Sequence, residues 1–91
     1  MEISTGVGVV PAPDLKAFGA AVAAARRERG FSLDALAEAS GVSRKSLINV
    51  EKAHKIARLD TAHAIAHALG MPLSPLVDSL CADHDTPGHP A

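Results

Sequence analysis

Aromatic residues and cysteine are scarce in this sequence. Its 91 residues include two Phe, one Cys, and neither Trp nor Tyr, whereas alanine and leucine are abundant. Because sheets are built largely from aromatic and β-branched residues, this composition favours helices. A single cysteine, Cys81, excludes an internal disulfide and a zinc site made of several cysteines, and it suits a reducing cytoplasm. The length allows one small domain.

Long apolar runs and a signal-like start are also missing. No stretch approaches the roughly 20 apolar residues that span a bilayer, and the first residues lack the basic start of a signal peptide. We therefore expect a soluble cytoplasmic protein, associated with the nucleoid, that does not enter membranes. The sequence also lacks a phosphate-cradling glycine loop and a recognisable Ser–His–acid set, so we expect neither catalysis nor a cofactor.

Charge is small overall but unevenly distributed. The chain carries a formal charge of −1. Residues 26–58 hold eight basic and four acidic side chains, a net charge of +4, which leaves −5 for the rest. A basic centre with acidic flanks fits a phosphate-facing surface on one side of a near-neutral molecule.

Apolar spacing and capping residues predict five helices and an all-α fold. In chain order they run over about 14–29, from Ser32 to Ser40, from Ser43 onward, over 59–69, and from Pro72 onward. Residues 14–80 would form the helical domain, 1–13 an N-terminal arm and 81–91 a disordered tail. No internal repeat is visible.

Two of these helices carry more specific expectations. In the third, Ser46, Leu47 and Val50 are expected to face inward. In the fourth, the buried stripe is expected to start at Leu59. The apolar residues of the fifth helix either close the core or, like the arm at Val7–Val10, supply a contact between two copies; they are Leu73, Leu76, Val77 and Leu80.

The region from residue 26 to 76 carries a recognisable series of motifs. It reads R-G-F-S at the first junction, then L-D-A-L-A, G-V-S at the turn, S-L-I-N-V-E, and L-D-T-A-H-A-I-A-H-A-L-G-M-P-L-S-P-L. This series resembles the helix-turn-helix domains of the phage Cro and repressor type, the XRE family. The resemblance implies a five-helix, lambda-repressor-like domain that binds double-stranded DNA through the helix from Ser43. We expect a sequence-specific regulator, more a repressor than an activator, acting as a homodimer.

The resemblance also implies which residues meet the bases. The positions expected at base edges are Ser43, Arg44, Lys45, Ile48 and Asn49. Arg44 or Lys45 would read guanine, and Asn49 would read adenine. Ile48 either touches a thymine methyl group or packs against its own domain. The alternative for the polar residues is that they are ordinary solvated side chains.

Phosphate contacts are expected on both sides of that helix. The candidates are Ser32, Leu33, Lys52, Lys55 and Arg58, the first two through the free N–H groups at a helix start. Many relatives have Gln where this chain has Leu33, which leaves that helix start to act through its backbone alone.

An ion pair also follows from the family pattern. Arg26 and Glu51 match residues that form a partly buried ion pair; the alternative is that Arg26 contacts phosphate.

A glycine usually follows the third helix, but this chain has Ala53, and alanine tolerates a left-handed turn poorly. We therefore expect the third helix to run somewhat longer.

The histidines suggest a metal site only weakly. His63 and His67 lie four residues apart, but no glutamate completes a metal-binding motif, so we expect no bound metal.

A competing function is an antitoxin or adaptor that holds a protein partner, with DNA binding secondary or lost. The N-terminal arm and the acidic tail motivate that alternative.

Overall fold

The computed structural model describes residues 12–81, which form five α-helices and, within that range, no strand. The helices are α1 (Leu15–Glu28), α2 (Leu33–Ser40), α3 (Arg44–Glu51), α4 (Leu59–Leu69) and α5 (Ser74–Asp78). The prediction of an all-α, five-helix fold is confirmed. Residues 1–11 and 82–91, which hold most of the expected arm and tail, lie outside the described residues, so those two assignments stay predictions.

Local capping explains where the helices begin and end. The side chains of Asp14, Ser32 and Ser43 each accept a backbone N–H of the following turn, at 2.9, 3.0 and 3.1 Å respectively. Such a bond satisfies one of the N–H groups that a helix start leaves unpaired. At the other end, α2 and α4 stop at Gly41 and Gly70, both left-handed, with φ values of 76° and 73°.

The core is drawn from all five helices. α1 packs against α3 and α5, while α2 packs against α3 and α4. α3 is therefore held from two sides, by α1 and by α2. Burying one aliphatic side chain of this core contributes about 1.5–3 kcal/mol. The largest fully or nearly fully buried members are Val22, Leu36, Leu47, Ile65 and Leu76.

The expected extension of the third helix is wrong. α3 ends at Glu51, and Ala53 adopts a left-handed conformation with φ of 59°. The N–H of His54 donates to the carbonyl of Asn49 at 2.8 Å, the hydrogen bond that closes a Schellman-type helix end. A left-handed alanine costs about 1–2 kcal/mol, and here the closing bonds hold it in place.

The fifth helix starts later than expected, at Ser74 rather than Pro72. Met71 still donates its N–H to Ala66 at the end of α4, so Pro72 directly follows that terminus and blocks its continuation. Pro75 lies in the first turn of α5, where its missing N–H breaks no helical bond.

Leu59 also departs from its predicted place, because it is 75% exposed. It is the first residue of α4, and the buried stripe begins one turn later at Ala62. Side chains on a helix lean towards its N-terminus, which carries Leu59 beyond the packed length of α4.

α5 closes the core of the single chain. Leu76 is 2% exposed, and Leu73, Val77 and Leu80 are partly buried against the same cluster. Next to this helix, the N–H of Asp14 donates to the carbonyl of Leu80 at 3.0 Å, which ties the start of α1 to the end of the domain.

Candidate nucleic-acid interface

The helix α3 has a buried side that fixes it in the domain. Leu47 is completely buried and Val50 nearly so, both within the central cluster. Together with the Ser43 cap, these two residues set the rotation of α3 about its own axis. That rotation decides which of its side chains reach solvent.

The first turn of α3 stands in water. Ser43, Arg44 and Lys45 are all exposed. Ser46 is exposed as well, so its expected inward position is wrong. Its hydroxyl accepts a hydrogen bond from the Ser43 hydroxyl at 2.9 Å, which engages both serines in the helix cap.

Arg44 has a partner that the sequence reading missed. Its Nε lies 3.1 Å from Oδ1 of Asp34, in the first turn of α2, and both side chains remain largely exposed. An exposed pair of this kind is worth about 0–1 kcal/mol, so it orients Arg44 without locking it. The sequence held one signal for this pair: a single acidic residue, Asp34, lies in the predicted first turn of the second helix, and the basic residues Arg44 and Lys45 follow across the turn.

The next turn of α3 is less open. Ile48 and Asn49 are both half-buried. Asn49 also accepts the N–H of His54 through its backbone, so its main chain belongs to the helix end. The two alternatives for Ile48, a thymine contact or packing, both remain compatible with half-burial.

The start of α2 combines a capped backbone with an apolar anchor. Ser32 is exposed and caps the helix, whereas Leu33 is partly buried against the core. The side chain of Leu33 therefore faces the domain, and only its backbone N–H is available to an external anion. Helix starts carry a partial positive charge that favours such an anion.

Three basic side chains follow α3. Lys52, Lys55 and Arg58 are exposed. Nη2 of Arg58 lies 3.2 Å from Oδ2 of Asp60, and the two side chains form an exposed ion pair at the start of α4. The left-handed turn at Ala53 redirects the chain between Lys52 and Lys55, so these two lysines do not share a helix face.

Arg26 and Glu51 form an ion pair that ties α1 to α3. Nε of Arg26 lies 2.7 Å from Oε2 of Glu51, and Nη2 lies 3.1 Å from Oε1. Nη1 also donates to the carbonyl of Phe31 at 2.9 Å. The side chains are only 11% and 9% exposed. The hydrogen bond to Glu51 raises the pKa of Arg26. Burial lowers this pKa by a smaller amount, so the guanidinium stays charged.

Gly19 allows α1 and α3 to approach closely at the same place. A Cβ atom at this position would lie 2.5 Å from the carbonyl oxygens of Val50 and Glu51. The sequence reading missed this contact, because a glycine inside a predicted helix does not reveal which neighbour it faces. The last turn of α3 is thus held by both a close backbone contact and an ion pair.

Other candidate chemistry is sparse within residues 12–81. His63 and His67 stack on α4 with ring centroids 6.1 Å apart, and no group of three or more potential metal ligands occurs among these residues. The helices of this region are also too short or too polar to cross a membrane.

Comparisons with known proteins agree with this arrangement. A helix-turn-helix family model, HTH_3, matches residues 22–76. The restriction-modification controller protein C.AhdI from Aeromonas hydrophila is 30% identical, with a TM-score of 0.68, over 69% of this chain and 96% of that one. The clp gene regulator ClgR from Corynebacterium glutamicum is 32% identical, with a TM-score of 0.70, over 80% and 79%. No curated protein matches the sequence.

A third similar structure is a complex. It is the biofilm master regulator SinR bound to DNA, 26% identical with a TM-score of 0.65, over 67% of this chain and 98% of that one. The N-terminal DNA-binding domain of SinR from Bacillus subtilis is matched at the same identity.

Proposed function

Because this chain belongs to the XRE-type helix-turn-helix family and is a DNA-binding transcriptional regulator, we propose that it is a sequence-specific repressor. In this proposal two copies bind one site, and each inserts α3 into the major groove of duplex DNA. The function is binding rather than catalysis. Repression needs only that the bound protein occupy the promoter.

One observation carries the proposal: α3 is anchored at its end and open at its start. Leu47 and Val50 are buried, while Ser43, Arg44 and Lys45 are exposed. A B-form major groove is about 12 Å wide and admits one helix, whose early residues meet the base edges. The exposed turn of α3 has the donors that this docking requires.

The proposed base contacts follow from donor and acceptor chemistry. Arg44 or Lys45 donates to O6 and N7 of guanine, and Asn49 pairs with N6 and N7 of adenine. Ser43 contacts an edge or the adjacent phosphate. Ile48 lies next to a thymine methyl group. Reaching a base requires Arg44 to leave Asp34, at a cost of about 0–1 kcal/mol.

Phosphate contacts flank the reading helix in the same proposal. The backbone at Ser32 and Leu33 holds one phosphate, and Lys52, Lys55 and Arg58 hold others. These contacts position the protein and add no sequence selection. They make the affinity fall with salt, since each neutralised phosphate releases counterions.

The proposal includes pairing of two copies because it raises affinity and selectivity for DNA. A single reading helix gives modest affinity, whereas two of them on half-sites about 34 Å apart add both strength and selectivity. Residues 26–58 carry a net charge of +4 and the rest of the chain −5, and this uneven distribution supports a molecule with one side that faces DNA.

The test is selection from a random duplex library, followed by binding measurements on the selected site. We expect a two-fold symmetric site for the 91-residue chain. Replacing both Arg44 and Lys45 by Ala should abolish preference for that site over mixed-sequence duplex, with the thermal midpoint of unfolding kept.

Two sets of variants serve as controls. Lys52→Ala should lower affinity for all duplexes alike and reduce the slope of log affinity against log salt by about one. Lys16→Ala with Arg27→Ala, on the exposed side of α1, removes the same charge as the α3 pair and should keep site preference. An unchanged preference in the α3 double variant would show that another element reads the DNA.

A further inference from the structure

Ile56 stands in water in the turn that connects α3 to α4. Its side chain is 74% exposed, although soluble domains usually bury isoleucine. The residue after it, Ala57, packs partly against the core, whereas Lys55 and Arg58 are exposed. Those two cations have a proposed place at DNA phosphates, and the apolar side chain between them has none.

We propose that Ile56 contacts the minor groove of duplex DNA, next to the stretch of major groove that α3 reads. This inference rests on the proposed function and adds a specificity-determining residue to it. In this arrangement Ile56 makes no hydrogen bond to a base. Its apolar side chain presses against a base step, so the affinity depends on how easily that step unstacks.

The surroundings of Ile56 match the chemistry of a minor-groove contact. Proteins that bind this groove combine Arg or Lys side chains with an apolar residue, often Ile or Leu, that is inserted between base steps and bends the duplex. Lys55 and Arg58 bracket Ile56 and can neutralise the phosphates on either side of the groove. Arg58 is held only by its exposed pair with Asp60, which a phosphate can replace.

The length of α3 brings this turn to the edge of the major groove. A helix of eight residues is about 12 Å long, and the major groove is about 12 Å wide. With the first turn of α3 at the base edges, its last turn lies about one groove width away, at the phosphates.

The chain then has enough reach to pass those phosphates. The left-handed turn at Ala53 makes it leave the axis of α3 instead of continuing along it. Five residues lead from Glu51 to Ile56, and a chain of that length spans at most about 18 Å. The neighbouring minor groove is about 6 Å wide, so the side chain of Ile56 can lie in it.

Leu59 is a matched side chain in a different place. It is 75% exposed, three residues further along the chain. It lies beyond the two cations that bracket Ile56 and lines an open groove of its own domain with His63 and Leu73. The charge pattern and the continuity with α3 therefore favour Ile56 alone as the minor-groove contact.

The expected consequence is selectivity at base pairs that no side chain reads by hydrogen bonding. Pyrimidine–purine steps such as TA unstack easily, whereas A-tracts are stiff. The minor groove on the protein-facing side lies about five base pairs, half a helical turn, from the centre of the bases read by α3. We expect a TA step to be preferred there.

The test uses duplexes that carry one copy of the sequence read by α3, so that a single chain binds and pairing of two chains contributes nothing. Two duplexes differ only at the outlying step, TA in one and AA in the other. The wild type should bind the TA duplex at least about threefold more tightly by fluorescence anisotropy. Ile56→Ala should bind both duplexes alike. The control Leu59→Ala removes as many carbon atoms and should keep the preference.

A second measurement detects the unstacking directly. The fluorescent base 2-aminopurine, placed at the outlying step, brightens when it unstacks. It should brighten on binding of the wild type and of Leu59→Ala, and stay dim with Ile56→Ala. A wild type without step preference, or an Ile56→Ala variant that keeps it, would overturn the proposal. So would a loss confined to duplexes with two sites, because Ile56 would then act at a protein contact.

The same duplexes separate this inference from the proposed function. If replacing Arg44 and Lys45 by Ala abolishes site preference while Ile56→Ala keeps the step preference, α3 reads DNA and the minor-groove contact is wrong. If the step preference depends on Ile56 but the α3 double variant still selects its site, the contact stands and the reading element is another one. A chain that retains no duplex at low salt contradicts both.

Discussion

The two ends of α3 have opposite surroundings. Its last turn is held against α1 by the ion pair of Glu51 with Arg26 and by the close approach of Gly19. Its first turn exposes Arg44 and Lys45 to water. The residues that stabilise the helix are therefore different from those available to bind, and substitutions should separate the two properties.

The largest effect is expected at the anchored end, for Glu51→Gln. This change leaves the Arg26 charge without an anion in a site that is about nine-tenths buried, and stability should fall by about 3 kcal/mol. A domain with about 70 ordered residues has only about 4–10 kcal/mol in total. Urea unfolding followed by circular dichroism measures the loss.

Two further variants sharpen this first prediction. Glu38→Gln, on the exposed side of α2, removes the same charge and should change stability by less than about 0.5 kcal/mol. Replacing the pair by Arg26→Met with Glu51→Leu should recover most of the loss, because no charge is then stranded. Equal unfolding midpoints for Glu51→Gln and Glu38→Gln would contradict the anchoring role.

A smaller loss is expected for Gly19→Ala. In an isolated helix this change would add about 1 kcal/mol of stability. Here the new methyl group meets two backbone carbonyls of α3, so we expect a net loss of roughly 2 kcal/mol. The urea midpoint gives the sign. Ala24→Gly, at an exposed position of α1, measures the propensity effect alone, and a stabilised Gly19→Ala would show that the helices can separate freely.

The smallest effect is expected at the open end, for Asp34→Asn. It frees Arg44 and removes an acid from the first turn of α2, so affinity for duplex DNA should rise by up to about fivefold at low salt. Fluorescence anisotropy with a labelled duplex measures this change. Glu28→Gln, which breaks the exposed pair with Arg29, is the matched control. No gain over that control would mean that Asp34 does not compete for Arg44.

The sequence was sufficient for the features that local chemistry determines. Asp14, Ser32 and Ser43 as helix starts, and Gly41 and Gly70 as ends, are visible because capping depends on the residue itself and its near neighbours. The family resemblance then supplied the lambda-repressor-like arrangement of those helices.

Features that depend on distant neighbours were missed or misplaced. Ala53 is a separate case, because its left-handed turn is closed by hydrogen bonds within five residues. The prediction failed there because the intrinsic preference of alanine was given more weight than the family pattern, in which a glycine occupies that turn. Leu59 fits the apolar period of α4 but lies before the packed turns. The contact at Gly19 and the pairing of Asp34 with Arg44 arise only when separate helices meet.

The hydrogen bond from Asp14 to Leu80 has a consequence for protein engineering. Since the domain starts and finishes at one spot, a short linker could join these ends and new termini could be opened in a surface loop. Any label or enzyme fused directly before Asp14 or after Leu80 would also be tethered from the same point. Cargo joined at Asp14 or at Leu80 would therefore be carried on the same side of the domain.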